Sequence, residues 1–220
     1  EHLNDYMIDS HSRMLPNPPI KRIFLDLFNK HFLRYCPVCV IEEKSSSIGE
    51  CYWHRLFQIP GVEVCPTHQV FLLNTKVTPE MVRTQMITLD ECPLEFDLLQ
   101  LDLSNNEHKF LLELAVDIEW LINQEDLKPD LDDIREHYRL FCKDLNILGA
   151  DKVVKSDPIP HVLKWKYWIL FEYYQLSPHY RPRWPNRLTK KPDHFSPLQH
   201  LVFLKLVGCS LEKFFNYSTD

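Results

Sequence analysis

Apolar residues recur at three- and four-residue steps along most of this chain, which is the spacing of an amphipathic helix. Four long segments show the pattern, at residues 20–32, 104–123, 130–149 and 158–176. A proline or a helix-capping polar residue stands at or near the start of each segment. The chain has 16 Pro and only 4 Gly, which fits helices separated by prolines and leaves little hairpin chemistry. The pattern therefore predicts a mainly α-helical protein.

The two central helices have recognisable starting signals. Ser104 and Glu107 fit a capping box, so the first of these helices is expected to begin there. The second carries Asp132 and Asp133 in its first turn, where the positive end of the helix dipole favours acids. Both helices belong to an acidic region of the chain.

A shorter pair of helices closes the sequence. Ser196 can cap a helix whose first residue is Pro197, and Gly208 can end it. A further helix is expected from Ser210 to Phe215. Helix, glycine-containing turn and helix is the arrangement of a helix-turn-helix, so a DNA-binding motif of this kind could start here and be cut short at the end of the chain.

The strongest chemical signal is a set of two ligand pairs, Cys36 with Cys39 and Cys65 with His68. Each pair is separated by two residues, and about 25 residues lie between the pairs. Two such knuckles supply three thiolates and one imidazole, a closed tetrahedral set that suits one structural Zn²⁺. The polar residues 42–47 in the spacer are interpreted as a loop, and residues 69–73 as a closing strand. We therefore expect a zinc ribbon.

Other interpretations of the cysteines are weaker. A disulfide framework would require an oxidising compartment, and the chain has seven Cys and no signal peptide. A redox-active pair at Cys36 and Cys39 would act by itself, so it would not explain the second pair, Cys65 and His68. Cys51 and His54 lie inside the spacer and could replace a ligand, although neither belongs to a two-residue knuckle.

Residues 74–103 break the helical pattern at Pro79 and Pro93, so extended chain lying on a helical core is expected there. The sequence then divides into four parts. These are an N-terminal helical segment (1–35), the zinc ribbon (36–73), an extended linker with an acidic helical region (74–150) and a basic helical region with the start of a helix-turn-helix (151–220).

Charge is segregated along the chain. Residues 152–220 contain eleven Lys and Arg against five acids, whereas the whole chain has a net charge of −6. The basic end is therefore +6 and the first 151 residues are −12. Five cations form a proline-stiffened strip at residues 179–191: Arg181, Arg183, Arg187, Lys190 and Lys191. They could bind successive DNA phosphates, or the strip could be a solvated linker.

A family resemblance adds to these patterns. The string from Gly49 through Tyr52-Trp53-His54-Arg55 and Pro60-Gly61-Val62 to Cys65-Pro66 and His68 resembles the signature of the TnsD/TniQ proteins. A second similarity covers Arg187 to Phe215, which resembles the segment that opens the family's C-terminal half. The chain begins without an initiator Met, and the family's usual N-terminal DNA-binding domain is not seen. The resemblance therefore implies a fragment that lacks both the N-terminal domain and the C-terminal end.

The resemblance also implies a role and partners. TnsD/TniQ proteins are target-selection subunits of bacterial transposons, which bind double-stranded target DNA and recruit an AAA+ ATPase regulator. Some members recognise a fixed attachment site, and others act with a CRISPR effector complex. A cytoplasmic, nucleoid-associated location follows from that role. No apolar run approaches the roughly 20 residues that cross a bilayer, so no membrane partner is expected.

Three classes of function follow. The first is a DNA-targeting adaptor without catalysis. The second is a zinc-containing protein-interaction adaptor that barely contacts DNA, which the −12 balance of the first 151 residues favours. The third, a metal-dependent nuclease or hydrolase, would need an open metal site or clustered carboxylates with catalytic roles. The sequence shows neither, so no enzyme is expected.

Overall fold

The computed structural model describes residues 32–124, 131–144 and 197–215. The chain divides into two compact units, one of residues 15–119 and one of residues 1–14 with 120–220. Two predicted helices, at 20–31 and 158–176, and the basic strip at 179–191 lie outside the described residues. The four-part division of the sequence stays a prediction.

The first unit is built from short elements between residues 34 and 91. Strand β1 (Arg34–Tyr35) precedes helix α1 (Pro37–Ser45), and a 3-10 turn follows at Leu56–Gln58. Strands β2 (Val64–Cys65), β3 (Val70–Phe71) and β4 (Leu73–Asn74) come next. Helix α2 (Pro79–Gln85) and a second 3-10 turn (Leu89–Glu91) complete this part.

The strands form two antiparallel ladders. Strand β1 pairs with β4, with Tyr35 opposite Leu73, and β2 pairs with β3, with Cys65 opposite Val70. Strand β4 therefore brings the chain back beside β1. The predicted strand at residues 69–73 is confirmed in part, because it is split between β3 and β4.

A small apolar core lies beneath these ladders. One buried cluster consists of Tyr35, Val40, Cys51 and Leu89, and a second consists of Leu33, Val77 and Cys92. Trp53 packs against both clusters and donates its indole N–H to the Ile87 carbonyl at 3.1 Å. Trp53 is therefore part of this core, and its polar end has the hydrogen-bond partner that a half-buried indole requires.

Part of the stretch predicted to be extended is helical. Pro79 begins α2 because a proline at the first helical position loses no hydrogen bond. The Thr78 hydroxyl caps the helix by accepting the Met81 N–H at 3.3 Å. The extended interpretation was wrong for residues 79–85, whereas residues 93–99 do lack helix.

Helix α3 (Asn106–Ile122) confirms the predicted helix at residues 104–123. Six residues of its apolar stripe are buried, and the seventh, Ile122, is half-buried: the six are Phe110, Leu111, Leu114, Ala115, Ile118 and Leu121. The cap lies one residue later than the capping box predicted, because the Asn105 side chain accepts the Glu107 N–H at 2.8 Å. Ser104 instead donates its N–H and its hydroxyl to Asp102.

The second unit contains helices α4 (Leu131–Asp144), α5 (Pro197–Leu206) and α6 (Leu211–Phe215). Tyr138 of α4 is fully buried, with its ring 4.6 Å from that of Phe214 and 5.8 Å from that of Phe203. Its hydroxyl lies 2.8 Å from His200 Nδ1, within hydrogen-bonding distance. This unit therefore has an aromatic core centred on Tyr138.

The predicted pair of C-terminal helices is present, with a turn at Gly208, whose φ is +74°. That left-handed backbone is one that glycine adopts without strain. A DNA-binding helix-turn-helix at this place stays a prediction. None of the helices in the described ranges combines the length and the apolar character that crossing a bilayer requires.

Candidate metal centre

The first ligand pair lies at the start of helix α1. Cys36 is the residue before the helix, with an extended backbone (φ −96°, ψ 122°), and Pro37 follows as the first helical residue. A proline restricts the residue before it to extended conformations, which suits this geometry. The Cys36 carbonyl accepts the Val40 N–H at 3.1 Å and so starts the helix. Cys39 therefore lies within the first helical turn, close to Cys36.

The second pair lies at the turn between β2 and β3. Cys65 is the last residue of β2, and its carbonyl accepts the Gln69 N–H at 2.9 Å. Gln69 has a φ of +53°, a left-handed conformation that turns the chain back into β3. This tight turn folds His68 back towards Cys65.

The four donor atoms converge on one point. The Nδ1 atom of His68 lies 3.5 Å from Cys36 Sγ, 3.3 Å from Cys39 Sγ and 3.5 Å from Cys65 Sγ. The Sγ atoms of Cys39 and Cys65 are 3.9 Å apart, and all four donors lie within 4.8 Å of one another. Bonds of about 2.3 Å to sulfur and 2.0 Å to nitrogen give tetrahedral edges of roughly 3.6 to 3.8 Å. These residues therefore fit one Zn²⁺.

Burial supports a structural site. Cys36 is 0% and Cys65 is 1% exposed, so water has little access to the sulfur donors. Four protein donors also complete a tetrahedral shell, which leaves no position for a reactive water. Among the described residues, this is the one group whose donor atoms cluster in this way.

The thiols influence one another strongly. Hydrogen bonds with Cys36 and Cys65, together with burial, raise the pKa of the Cys39 thiol far above its ordinary value. Hydrogen bonds from Cys36 and Cys39 lower the pKa of Cys65. A divalent cation at this point would stabilise all three thiolates together.

Glu42 orients the histidine ligand. The Nε2 atom of His68 lies 3.0 Å from Glu42 Oε2, so this nitrogen donates to the carboxylate and leaves Nδ1 free for the metal. Such a carboxylate fixes the ring and makes the ligand nitrogen more basic. The sequence prediction missed Glu42 because it placed residues 42–47 in a loop. Continuing α1 from the Cys36-Pro37 start would have placed Glu42 one turn after Cys39.

The two alternative ligands have other partners. The Cys51 thiol donates to Asp90 Oδ1 at 3.1 Å, and burial followed by this hydrogen bond raises its pKa to about 11. The Nε2 atom of His54 lies 2.5 Å from Glu43 Oε1. Neither side chain belongs to the four-donor cluster, so they do not replace a ligand here. The seven cysteines are all buried, and none of them forms a disulfide.

Arg34 holds the spacer against the first ligand pair. Its guanidinium donates to the Ile59 carbonyl at 3.1 Å and pairs with Glu63 at 3.2 Å. The Gln58 side chain accepts the Arg34 N–H at 2.9 Å and donates to the Arg34 carbonyl at 2.8 Å. These contacts were not predicted, because each joins residues more than twenty positions apart.

The comparison with protein families identifies this module. Residues 12–72, which include all four metal ligands, match the family model described as TniQ. This part of the chain is similar to the TniQ family. The comparison with curated proteins gave no match. The TniQ match covers Gly49 to His68, where the sequence motif resembles the TnsD/TniQ signature, and the metal cluster lies within it.

The predicted DNA-binding residues Arg181, Arg183, Arg187, Lys190 and Lys191 lie outside the described residues, and outside the TniQ match. Their role stays a prediction. Within the described part of the chain, His108 and His137 are half-buried and lie outside the metal cluster. His108 accepts the Asp102 N–H at 2.9 Å, and the ring of His137 packs edge-on against Phe214.

Proposed function

We propose that this chain is part of a target-selection adaptor of a bacterial transposon. It binds double-stranded target DNA and recruits an AAA+ ATPase regulator, and it performs no catalysis itself. The observation that carries the proposal is the cluster of Cys36, Cys39, Cys65 and His68 inside the region that is similar to the TniQ family. A cytoplasmic location with the nucleoid follows from this role.

Zinc supplies folding free energy in this proposal. The two ligand pairs come from the start of α1 and from the β2–β3 turn. Cys39 and Cys65 are 26 positions apart in the sequence, and Cys36 and His68 are 32 positions apart. One ion therefore joins two elements that are distant in the sequence. A small module gains much of its stability from such a bound metal.

The DNA-binding part of the proposal rests on charge. The +6 balance of residues 152–220 and the strip at 179–191 suit the phosphate backbone. The predicted helix-turn-helix could add groove contacts.

A second candidate is a zinc-containing protein-interaction adaptor that bridges to a CRISPR effector complex and binds little DNA. One observation favours it: residues 32–119 carry fourteen Asp and Glu against six Lys and Arg. A surface of that sign repels DNA phosphates and attracts basic protein surfaces.

A salt titration separates the two candidates. Gel-shift affinities would be measured with attachment-site DNA and random DNA over a range of salt concentrations. DNA binding through phosphates gives a slope of about −0.9 per contact in a plot of log affinity against log salt. An adaptor that binds only proteins shows no saturable shift at any salt concentration. Incubation with DNA and Mg²⁺ should give no cleavage, and cleavage that an Asp or Glu substitution abolishes would contradict the proposal.

A further inference from the structure

Residues 96–103 are here called the edge segment, and residues 99–101 of this segment pair with β3 around one antiparallel bridge. The Leu99 carbonyl accepts the Phe71 N–H at 2.9 Å, and the Leu101 N–H donates to the Gln69 carbonyl at 2.9 Å. Gln100 is opposite Val70 in an antiparallel bridge. Residues 99–101 therefore lie along β3 on the side opposite β2.

The outer side of the edge segment has open backbone groups. Because Leu99 and Leu101 make the hydrogen bonds to β3, the N–H and C=O of Gln100 point away from β3. Gln100 is exposed, and these two groups have no hydrogen-bond partner in the described part of the chain. An open edge of this kind is a template for another strand.

The edge segment also exposes unusually large apolar side chains. Phe96 is 48%, Leu98 52%, Leu99 61% and Leu103 50% exposed. Single exposed apolar residues are common, but four within eight residues form a patch of the kind that marks interaction sites. An added strand would cover part of this apolar surface as it paired with the backbone.

Both ends of the edge segment are held in place. Just before it, the Tyr35 hydroxyl binds the N–H and the C=O of Glu95. Near its end, the Asp102 N–H donates to His108 Nδ1. A strand that is already ordered loses less conformational entropy when a partner binds.

Charge indicates the kind of partner. Residues 90–103 contain five Asp and Glu and no Lys or Arg. DNA phosphates would be repelled by such a segment, whereas a basic peptide would be attracted. We propose that the open edge of residues 96–103 binds an extended, basic segment of a partner protein by strand addition. This inference rests on the adaptor part of the proposed function, for which it supplies a protein-docking surface.

A designed peptide tests strand addition directly. The probe is a fluorescein-labelled peptide of alternating lysine and valine, and the zinc-loaded chain is titrated into it while anisotropy is measured. Saturable binding is expected. A matched probe with alternate backbone amides methylated keeps the side chains but loses the strand hydrogen bonds, so it should bind at least about tenfold more weakly. Equal binding of the two probes would overturn the proposal.

Two variants of the protein locate the site. Gln100→Pro removes the outward N–H and retains the Leu99 and Leu101 bonds to β3, so binding of the lysine–valine probe should fall at least about tenfold. Asp97→Lys should weaken binding of the lysine–valine probe and strengthen binding of a glutamate–valine probe. Glu50→Lys is the matched control, because it makes the same charge change on an exposed residue outside the edge segment. Unchanged binding in Asp97→Lys would overturn the proposal even if Gln100→Pro failed to fold.

Two further measurements separate this proposal from its alternatives. Sedimentation of the protein alone tests whether a second copy fills the edge; a dimer that Gln100→Pro dissociates would overturn the choice of a basic partner. The gel-shift assay is repeated on Asp97→Lys and Glu50→Lys at high and low salt. If the chain binds no DNA but still binds the probe at this edge, the DNA-targeting function fails and the docking surface stands. If DNA binding is intact and the probe does not bind, the docking surface fails alone.

Discussion

The hydroxyl of Tyr35 makes two hydrogen bonds to one distant residue, accepting the Glu95 N–H at 2.7 Å and donating to the Glu95 carbonyl at 2.8 Å. Sixty residues separate the two partners along the chain. Tyr35 is 2% exposed, so both bonds are shielded from water at their inner end. A single side chain thus fixes the start of the edge segment to strand β1.

Tyr35→Phe should therefore destabilise the first unit by about 1 to 2 kcal/mol, because two backbone groups lose their partner while the ring keeps its packing. Urea denaturation of the zinc-loaded protein measures the loss. Hydrogen exchange at the Glu95 N–H should also become faster. Tyr52→Phe is the control. Because Tyr52 is 60% exposed, this variant should unfold at the same urea concentration as the parent.

Removing one sulfur ligand should unfold the metal module. Cys36→Ser leaves three donors, and the ion would lose much of a binding free energy that reaches about 10 kcal/mol in small zinc peptides. Elemental analysis should show one zinc in the parent and much less in the variant, together with loss of the cooperative thermal transition. Cys92→Ser should keep the zinc and the cooperative thermal transition, because Cys92 donates to the Thr88 carbonyl and is not a ligand. An unchanged melting curve for Cys36→Ser would contradict the metal site.

Glu42→Gln should weaken zinc binding without removing a ligand. A neutral amide holds the His68 ring less well and makes Nδ1 less basic, so the affinity should fall roughly tenfold. Competition with a chromogenic chelator measures the change. Glu43→Gln is a matched neighbour on the same helix whose carboxylate contacts His54, and its zinc affinity should equal that of the parent. Equal losses in both variants would exclude a specific role for Glu42.

The basic strip should account for part of any DNA affinity. Replacing Arg181, Arg183 and Arg187 by Ala should weaken binding to all sequences and flatten the salt slope by roughly 0.9 for each lost phosphate contact. If one of these arginines contacts a base, its loss should instead cost about 1 to 3 kcal/mol at a single position of the site. A triple variant with the parent's affinity and salt slope would show that the strip is a linker.

The metal ligands could be predicted because their spacing is a local property of the sequence. Two residues between the members of a knuckle fix the distance between two donors before any tertiary structure exists. The buried stripe of α3 was predictable for the same reason, since period and burial are linked in a helix. Both predictions depend on neighbours within about two turns.

The errors arose where a local signal was weak or where the contact was distant. Helix α1 continues to Ser45 although its residues 41 to 45 carry no buried apolar residue, so periodicity could not show it. Its stability comes from the proline start, the ligands in its first turn and Lys44 in its last turn. The bonds of Tyr35 to Glu95 and of Arg34 to Ile59 have no sequence signature. Only the folded chain brings those residues together.

Residues 46–50 form an exposed connection between α1 and Cys51, with Gly49 in a left-handed conformation. Cys36 and Cys39 precede this connection, and Cys65 and His68 follow it. Cleaving the chain there would separate the ligands into two peptides without damaging either knuckle. The ion, the β1–β4 ladder and the contacts of Arg34 and Tyr35 would then hold the two pieces together. A nicked module would thus behave as a split protein, which zinc reassembles and a chelator takes apart.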